Sequence, residues 1–282
     1  MKSKRDMPLM LLSRLVLLGG LITPWNLATA DKEVRTETKE KEVTLTAQIV
    51  LVAVGPKAPR RFKNTGTHTS SVMLLPEPGE VPPSRLYFKA QPSTDEKPNW
   101  QTFNVAFNNP SVMKSITPEK TLTLYQKNTE SGEYLKYVTI PPGAEGGRRV
   151  FFLIPSATGP KPWEQPPLVR TIDLDSKTLQ GKQFILKNLS QFTVLHAFEK
   201  SVTEVPSMKT ISYTRPRTGE LYRLAARYGT QKKIIYNTAV RLDTSGNIQL
   251  FALYNANPKT NSGRSVGVFR MMIPVKADTS VK

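Results

Sequence analysis

The fold is decided by residues 148–170, whose sequence is RRVFFLIPSATGPKPWEQPPLVR. Residues 150–154 form a continuous apolar run, which predicts a short strand buried on both faces of a sheet. Five prolines follow between Pro155 and Pro167. Because proline fixes φ and has no amide hydrogen, no regular element is expected to continue through them. We therefore predict the last strand of one domain, followed by a stiff linker into a second domain.

Strand-like runs with turn signals between them recur on both sides of this stretch, and no window has the period of an amphipathic helix. The predicted strands are residues 43–54, 72–75, 85–89, 103–107, 121–126, 134–140, 150–154, 169–174, 184–189, 192–198, 208–213, 221–228, 234–240, 248–254 and 266–275. This pattern predicts an all-β fold, with two tandem immunoglobulin-like antiparallel β-sandwich domains joined by a proline-rich linker. No internal sequence repeat is sharp enough to indicate a duplication.

The N-terminal residues have the features of a secretory signal. Basic residues begin the chain, and an apolar centre too short to span a bilayer follows. The sequence Ala28-Thr29-Ala30 is the small-x-small pattern that a signal peptidase recognises. We expect an exported protein, periplasmic or extracellular, with no transmembrane span in the mature chain. The predicted organisation is a signal peptide (1–30), a disordered charged tail (31–42), a first domain (43–157), a linker (158–167), a second domain (168–277) and a tail (278–282).

Composition restricts the chemistry and the partners. The chain has no cysteine, which excludes a disulfide-stapled scaffold, thiol nucleophiles and cysteine-ligated metal sites. Its formal net charge is +18, and loss of residues 1–30, which carry four basic residues and one acidic residue, would leave +15. Such a charge favours anionic partners. For an exported protein we expect an anionic envelope polymer or another envelope protein, and no nucleic acid; the sequence leaves the oligomeric state open.

Signals for catalysis or cofactors are weak. Residues 263–267 match G-x-S-x-G, the nucleophile motif of α/β hydrolases, which requires a helix after the serine and a histidine further along the chain. A strand-like run follows Ser265 instead, and no histidine lies downstream, so a Gly-Ser turn into the last strand is expected. His68 and His196 are the only histidines and lack an acidic cluster nearby in sequence. We predict no catalytic residue, cofactor or metal site.

Basic residues are the more informative candidates. Residues 221–228 alternate, so Arg223 and Arg227 are expected to share one strand face, opposite Tyr222 and Leu224. Guanidinium groups on one face could form forked hydrogen bonds to carboxylate or phosphate, although most charged strand faces are only solvated. The candidate binding residues are Arg60, Arg61, Arg215, Arg217, Arg223 and Arg227.

Three segments carry a resemblance to known proteins: VFFLIP at 150–155, VRTIDL at 169–174 and FILKNLS at 184–190. They resemble segments of a group of exported bacterial proteins of unknown function with tandem β-sandwich domains. The resemblance implies that architecture and transfers no activity or site residue. The chain is also similar to fimbrial periplasmic chaperones, which are basic, exported and built of two immunoglobulin-like domains.

Three functions follow as hypotheses. The first is a non-enzymatic envelope protein that binds an anionic glycan, surface polymer or protein through basic sheet faces. The second is a periplasmic chaperone or assembly factor that pairs a client strand with a sheet edge. The third is a hydrolase that uses Ser265.

Overall fold

The apolar and alternating runs of the sequence form eighteen β-strands in the computed structural model, which describes residues 47–64, 71–89, 99–116, 121–140, 147–198, 201–214, 221–239 and 247–274. The described residues contain no helix, and the predicted all-β class is confirmed. The predicted signal peptide, the charged tail at 31–42 and the tail at 278–282 lie outside the described residues.

The first half of the described fold contains ten strands. They are β1 (Ala47–Ala53), β2 (Arg61–Asn64), β3 (Ser71–Leu74), β4 (Arg85–Lys89), β5 (Trp100–Asn104), β6 (Lys114–Ile116), β7 (Leu122–Lys127), β8 (Tyr134–Ile140), β9 (Gly147–Ile154) and β10 (Leu168–Asp173). One sheet has the order β10-β9-β1-β6 and is called the first inner sheet. A second has the order β5-β4-β7-β8 and is called the first outer sheet. Strands β2 and β3 form a separate ribbon.

The second half contains eight strands. They are β11 (Phe184–Asn188), β12 (Val194–Phe198), β13 (Ser201–Val205), β14 (Thr210–Tyr213), β15 (Leu221–Tyr228), β16 (Gln231–Ala239), β17 (Ile248–Asn255) and β18 (Val266–Ile273). The second inner sheet has the order β14-β11-β17-β18, and the second outer sheet has the order β13-β12-β15-β16.

The two halves repeat one topology. In the inner sheet of each half, the first strand lies beside the second-to-last strand: β1 beside β9, and β11 beside β17. Two hairpins form each outer sheet. The strand between those hairpins, β6 or β14, joins the inner sheet instead. Each outer sheet also has one register shift in its second hairpin, between Leu124 and Tyr125 in the first sheet and between Leu224 and Ala225 in the second. The ribbon of β2 and β3 is an insertion in the first half, because β11 and β12 are joined directly by residues 189–193. The repeat is visible in strand order although no sequence repeat predicts it.

The inner sheets are mixed, which differs from the antiparallel sandwiches predicted from sequence. Strand β1 runs parallel to β9, and β11 runs parallel to β17, whereas the other pairs within these four-stranded sheets are antiparallel. Periodicity shows which residues form strands but carries no information on which strands become neighbours. The sequence pattern therefore does not show whether the first strand of each half pairs parallel or antiparallel with a strand that follows much later in the chain.

Three hydrophobic cores join the four sheets in layers. One lies between the first outer and first inner sheets, where Leu51 and Phe151 pack with Phe88 and Phe103. Another lies between the second inner and second outer sheets, around Phe184 and Tyr222. The third lies between the two inner sheets and contains residues of both halves, including Val52, Phe152, Leu250 and Phe269. The layer order is therefore outer, inner, inner, outer.

This layering explains the continuous apolar runs. The inner sheets have cores on both faces, so their central strands β1, β9 and β17 are buried along almost their whole length. The prediction that residues 150–154 form a strand buried on both faces is confirmed. Strands of the outer sheets alternate instead, as in β4 and β15, because one face packs and the other meets solvent.

The proline-rich stretch is not the spacer that the sequence suggests. It connects β9 to β10, which pair antiparallel in the first inner sheet, so that sheet extends to Asp173 rather than ending at residue 157. Trp163 from this stretch is buried in the core between the first outer and first inner sheets, and its backbone N–H donates to the Gly79 carbonyl at 2.8 Å. Prolines prevent ladder hydrogen bonds within the stretch. They do not prevent the next strand from returning alongside β9.

Candidate binding surfaces

The predicted arginine stripe lies on the solvent-facing side of the second outer sheet. Tyr222 and Leu224 are buried in the core, whereas Arg223 is exposed, so the predicted alternation of this strand is confirmed. Arg227 shares the outward face but forms an ion pair with Glu204 of β13. The pair neutralises one of the two charges. The stripe is therefore weaker than its sequence indicates.

The surroundings of this stripe are partly apolar. Val202, Leu221 and Ile234 are exposed on the same face, and Ile234 lies opposite Ala225 in the ladder. Lys232 lies opposite Arg227, which adds one more positive charge at that end. Arg215 and Arg217 lie outside the described residues, so the structure does not place them beside the stripe.

Arg61 holds a loop together. Its two terminal nitrogens donate to Glu77 Oε1 and to Glu80 Oε2, each at 2.7 Å. Glu80 is buried, and Lys161 of the proline-rich stretch lies 3.3 Å from Glu77. The hydrogen bonds and charge of Arg61 and Lys161 hold the pKa of the Glu77 carboxyl below its usual value. Arg60, by contrast, is exposed.

The G-x-S-x-G segment is a turn into a strand. Both glycines have structural reasons: Gly263 has φ of 70°, in the left-handed region, and a Cβ on Gly267 would collide with the Tyr254 ring. Ser265 immediately precedes β18, and its carbonyl accepts a hydrogen bond from Ala256 N–H at 2.8 Å. The strand–turn–helix geometry of a nucleophile elbow is therefore not what surrounds Ser265.

His196 is a core residue. It is fully buried, with the rings of Phe184, Phe198, Tyr213 and Tyr222 around it at centroid distances of 5.0–6.2 Å. Nδ1 lies 3.3 Å from Tyr213 Oη, while Nε2 has no hydrogen-bond partner among the described residues. Burial lowers the pKa of His196 to about 4, because the charged imidazolium would be desolvated. His68 lies outside the described residues.

Metal ligands do not cluster in the part of the chain that the structure describes, where no three His, Asp or Glu side chains form a group able to hold an ion. Over the same residues, no helix has the length and apolar character required to cross a bilayer.

The solvent-facing side of the first outer sheet carries a surface that the sequence analysis missed. Its four strands supply four half-buried aromatic side chains, and the residues of those strands include four basic and no acidic ones. We call the following set the aromatic–lysine face: Tyr87, Lys89, Trp100, Tyr125, Lys127 and Tyr134.

The rings of the aromatic–lysine face contact one another directly. Trp100 stacks on Tyr134, with centroids 3.9 Å apart and an interplanar angle of 13°. Tyr125 meets Trp100 edge-on at 5.1 Å, and Tyr87 meets Tyr134 edge-on at the same distance. Lys89 Nζ lies 5.7 Å from the Trp100 ring centroid, and Lys127 Nζ lies 5.7 Å from that of Tyr134. Each ring of the stack thus has an exposed ammonium group beside it.

The alternation of apolar and polar residues in β4 predicts part of the aromatic–lysine face. Leu86 and Phe88 face the core, so Tyr87 and Lys89 must face outward, and Trp100 lies opposite Lys89 in the ladder. The contact between Trp100 and Tyr134 depends on the order of the four strands, which the sequence does not reveal.

Comparison with known proteins adds no family assignment: no protein-family model matches the chain, and no curated protein is significantly similar to it.

Proposed function

We propose that this protein is a non-enzymatic, exported protein of the cell envelope that binds an anionic polysaccharide through the aromatic–lysine face. The observation that carries the proposal is the stack of Trp100 on Tyr134 with Lys89 and Lys127 beside it. Half-buried rings offer large, rigid contact area, and the indole N–H and phenol O–H groups offer hydrogen bonds at their rims. The lysine ammonium groups supply the charge that carboxylate or sulfate groups require.

The charge distribution supports this location over the arginine stripe. The four strands of the first outer sheet contain no acidic residue, whereas the second outer sheet contains Glu204, which pairs with Arg227. A polymer with repeated negative charges would meet no carboxylate from the strands of the first face, whereas Glu204 on the second face would repel it and already compensates Arg227. The net charge of +18 favours approach of such a polymer to the molecule as a whole.

We also propose that each half is an immunoglobulin-like sandwich. Support comes from the repeated topology, in which an inner and an outer sheet of four strands enclose a core in each half. On this proposal the outer sheets present the binding faces, because the inner sheets are covered on both sides.

The test compares two double variants of equal charge. Lys89→Gln with Lys127→Gln removes the ammonium groups beside the stack, and Lys177→Gln with Lys259→Gln removes two exposed lysines elsewhere. Binding to polygalacturonate is measured by Trp fluorescence and by retention on the immobilised polymer, with uncharged dextran as the reference ligand. We expect the first variant to bind at least about tenfold more weakly and the second to bind like the parent.

The arginine stripe provides a second comparison. Arg223→Ser with Arg227→Ser should weaken polygalacturonate binding less than the change at Lys89 and Lys127, because Glu204 already compensates Arg227. Undiminished binding by the Lys89 and Lys127 variant, or a larger loss in the arginine variant, would show that the polymer binds elsewhere.

A further inference from the structure

The ribbon of β2 and β3 exposes an unusual amount of apolar surface. Phe62, Val72, Met73, Leu74 and Leu75 are each between 43% and 83% exposed. Phe62 pairs opposite Met73 on one face, while Val72 and Leu74 lie on the other. Exposed apolar side chains on both faces of a two-stranded ribbon have no core to explain them. Exposed apolar side chains concentrated in one short element typically mark an interaction site.

Among the residues that the structure describes, no strand lies beside the outer edge of β3. In the described ranges β3 pairs only with β2, so the backbone groups on its other edge have no strand partner. Six of the eight edge strands in the four-stranded sheets contain a charged residue, such as Lys114 in β6 or Glu204 in β13. Strand β3 and Leu75 contain none. Charges on an edge discourage strand addition, and their absence permits it.

The base of the ribbon is fixed. Arg61 at the start of β2 is bonded to Glu77 and to the buried Glu80, and Lys161 reaches Glu77 from the proline-rich stretch. An anchored base holds the strand in place for a partner, which reduces the entropy that binding would cost. This ribbon has no counterpart in the second half.

We propose that the free edge of β3 is a docking site for an extended strand of a partner polypeptide, with apolar side chains at its centre and acidic residues at its ends. Addition of a strand satisfies the open backbone groups and covers Val72, Met73 and Leu74 together. Arg60, just before β2, and Lys63, within β2, are exposed and complement acidic residues of the partner. This site is separate from the aromatic–lysine face and does not depend on the proposed function.

Two other occupants fit the observations less well. A second copy of this chain carries the same charge of +18, so its approach is opposed by repulsion. A lipid surface would cover the apolar side chains but would leave the open backbone edge without hydrogen bonds in hydrocarbon. A polypeptide strand meets both requirements.

The test uses a labelled peptide, DEVIVIVED, and the same peptide N-methylated at alternate residues, which cannot pair as a strand. We expect the first to bind the purified full chain and to protect the amides of residues 71–75 from hydrogen exchange. The N-methylated peptide should bind at least about tenfold more weakly. No binding, equal binding of both peptides, or protection elsewhere would overturn the proposal.

Two triple variants separate the ribbon from other exposed apolar surface. Val72→Ser, Met73→Ser and Leu74→Ser should weaken peptide binding about tenfold and leave polygalacturonate binding unchanged. The matched control removes Val202, Leu221 and Ile234, also by change to serine, and should bind the peptide like the parent. An equal loss in the control would overturn the assignment. Self-association of the parent in sedimentation velocity, or its binding to phosphatidylglycerol vesicles, is measured in the same variants. If the ribbon variant loses either property but still binds the peptide, the proposal is overturned.

Discussion

His196 links stability to pH at the scale of one residue. In the folded chain burial lowers its pKa to about 4, whereas an unfolded histidine titrates near 6.5. Below about pH 6.5 the unfolded state binds the proton more readily, so stability is lost as the pH falls towards 4. We expect His196→Phe, which places another ring among the aromatic side chains, to lose about 2 kcal/mol less stability than the parent between pH 7 and pH 5.

Urea denaturation at the two pH values measures this difference. His68→Gln changes the other histidine and should show the same pH dependence as the parent. Equal pH dependence in the parent and in His196→Phe would mean that the pKa of His196 is the same in the folded and unfolded states.

Sequence reasoning at this scale succeeds where a residue's environment depends on its own strand and fails where it depends on a distant one. Alternation places Arg223 outward and Tyr222 inward, as observed. It cannot reveal that Arg227 pairs with Glu204, because that contact depends on the strand order, in which β12 lies between β13 and β15. Trp100 and Tyr134 were missed for the same reason.

Ion pairs that join elements differ in their burial, and their energetic weights should differ accordingly. Arg148 at the start of β9 is buried, bonds to Asp175 through its backbone N–H at 2.7 Å and its side chain at 3.0 Å, and donates to the Pro274 carbonyl beyond β18. The pair between Arg227 and Glu204 is exposed. The first pair therefore joins β9 to the segment after β10, and the bond from Arg148 to Pro274 reaches the second half, whereas the second pair lies on one outer face.

We expect Asp175→Ala to lower the free energy of unfolding by about 2–3 kcal/mol, because it leaves a buried guanidinium without its carboxylate. Glu204→Ala, the matched exposed change, should cost less than about 1 kcal/mol. Chemical denaturation of the two variants measures both values. Similar costs would indicate that Arg148 is rehydrated when Asp175 is removed.

Element bounds were predictable where strands alternate or are strongly apolar. Strands β4, β8 and β15 have the bounds predicted from sequence. Strands β2, β6 and β13 were missed, because each is short and polar or charged residues make up most of it. The pairing of β10 with β9 was also not predicted. Prolines indicate where a ladder stops, but not which strand the chain pairs with afterwards.

At the scale of the molecule, the core between the inner sheets should couple the two halves. It contains residues of both, and Asn108 of the first half donates to Tyr254 Oη of the second at 3.0 Å. A chain that begins at Asp31 has two tryptophans, Trp100 and Trp163, and both lie in the first half. Fluorescence therefore reports unfolding of the first half alone, while circular dichroism reports the strands of both.

We expect Leu250→Ala, in the shared core, to cost about 2–5 kcal/mol and to lower the urea midpoint by both probes equally. Leu224→Ala, in the outer core of the second half, should do the same if the molecule unfolds as one unit. A midpoint that moves by circular dichroism but not by fluorescence would instead show that the halves unfold independently.

The parallel pairing of β1 with β9 also sets an order of events during synthesis. Every residue of β1 pairs with the residue 100 positions later in the chain, from Ala47 with Gly147 to Ala53 with Leu153. At a synthesis rate of about 5–20 residues per second, β1 waits about 5–20 s for its partner strand to be made. The hairpins of the first outer sheet are local and can form earlier. Within the first half, the first strand is thus among the last to be completed, and its apolar residues need protection from aggregation in the meantime.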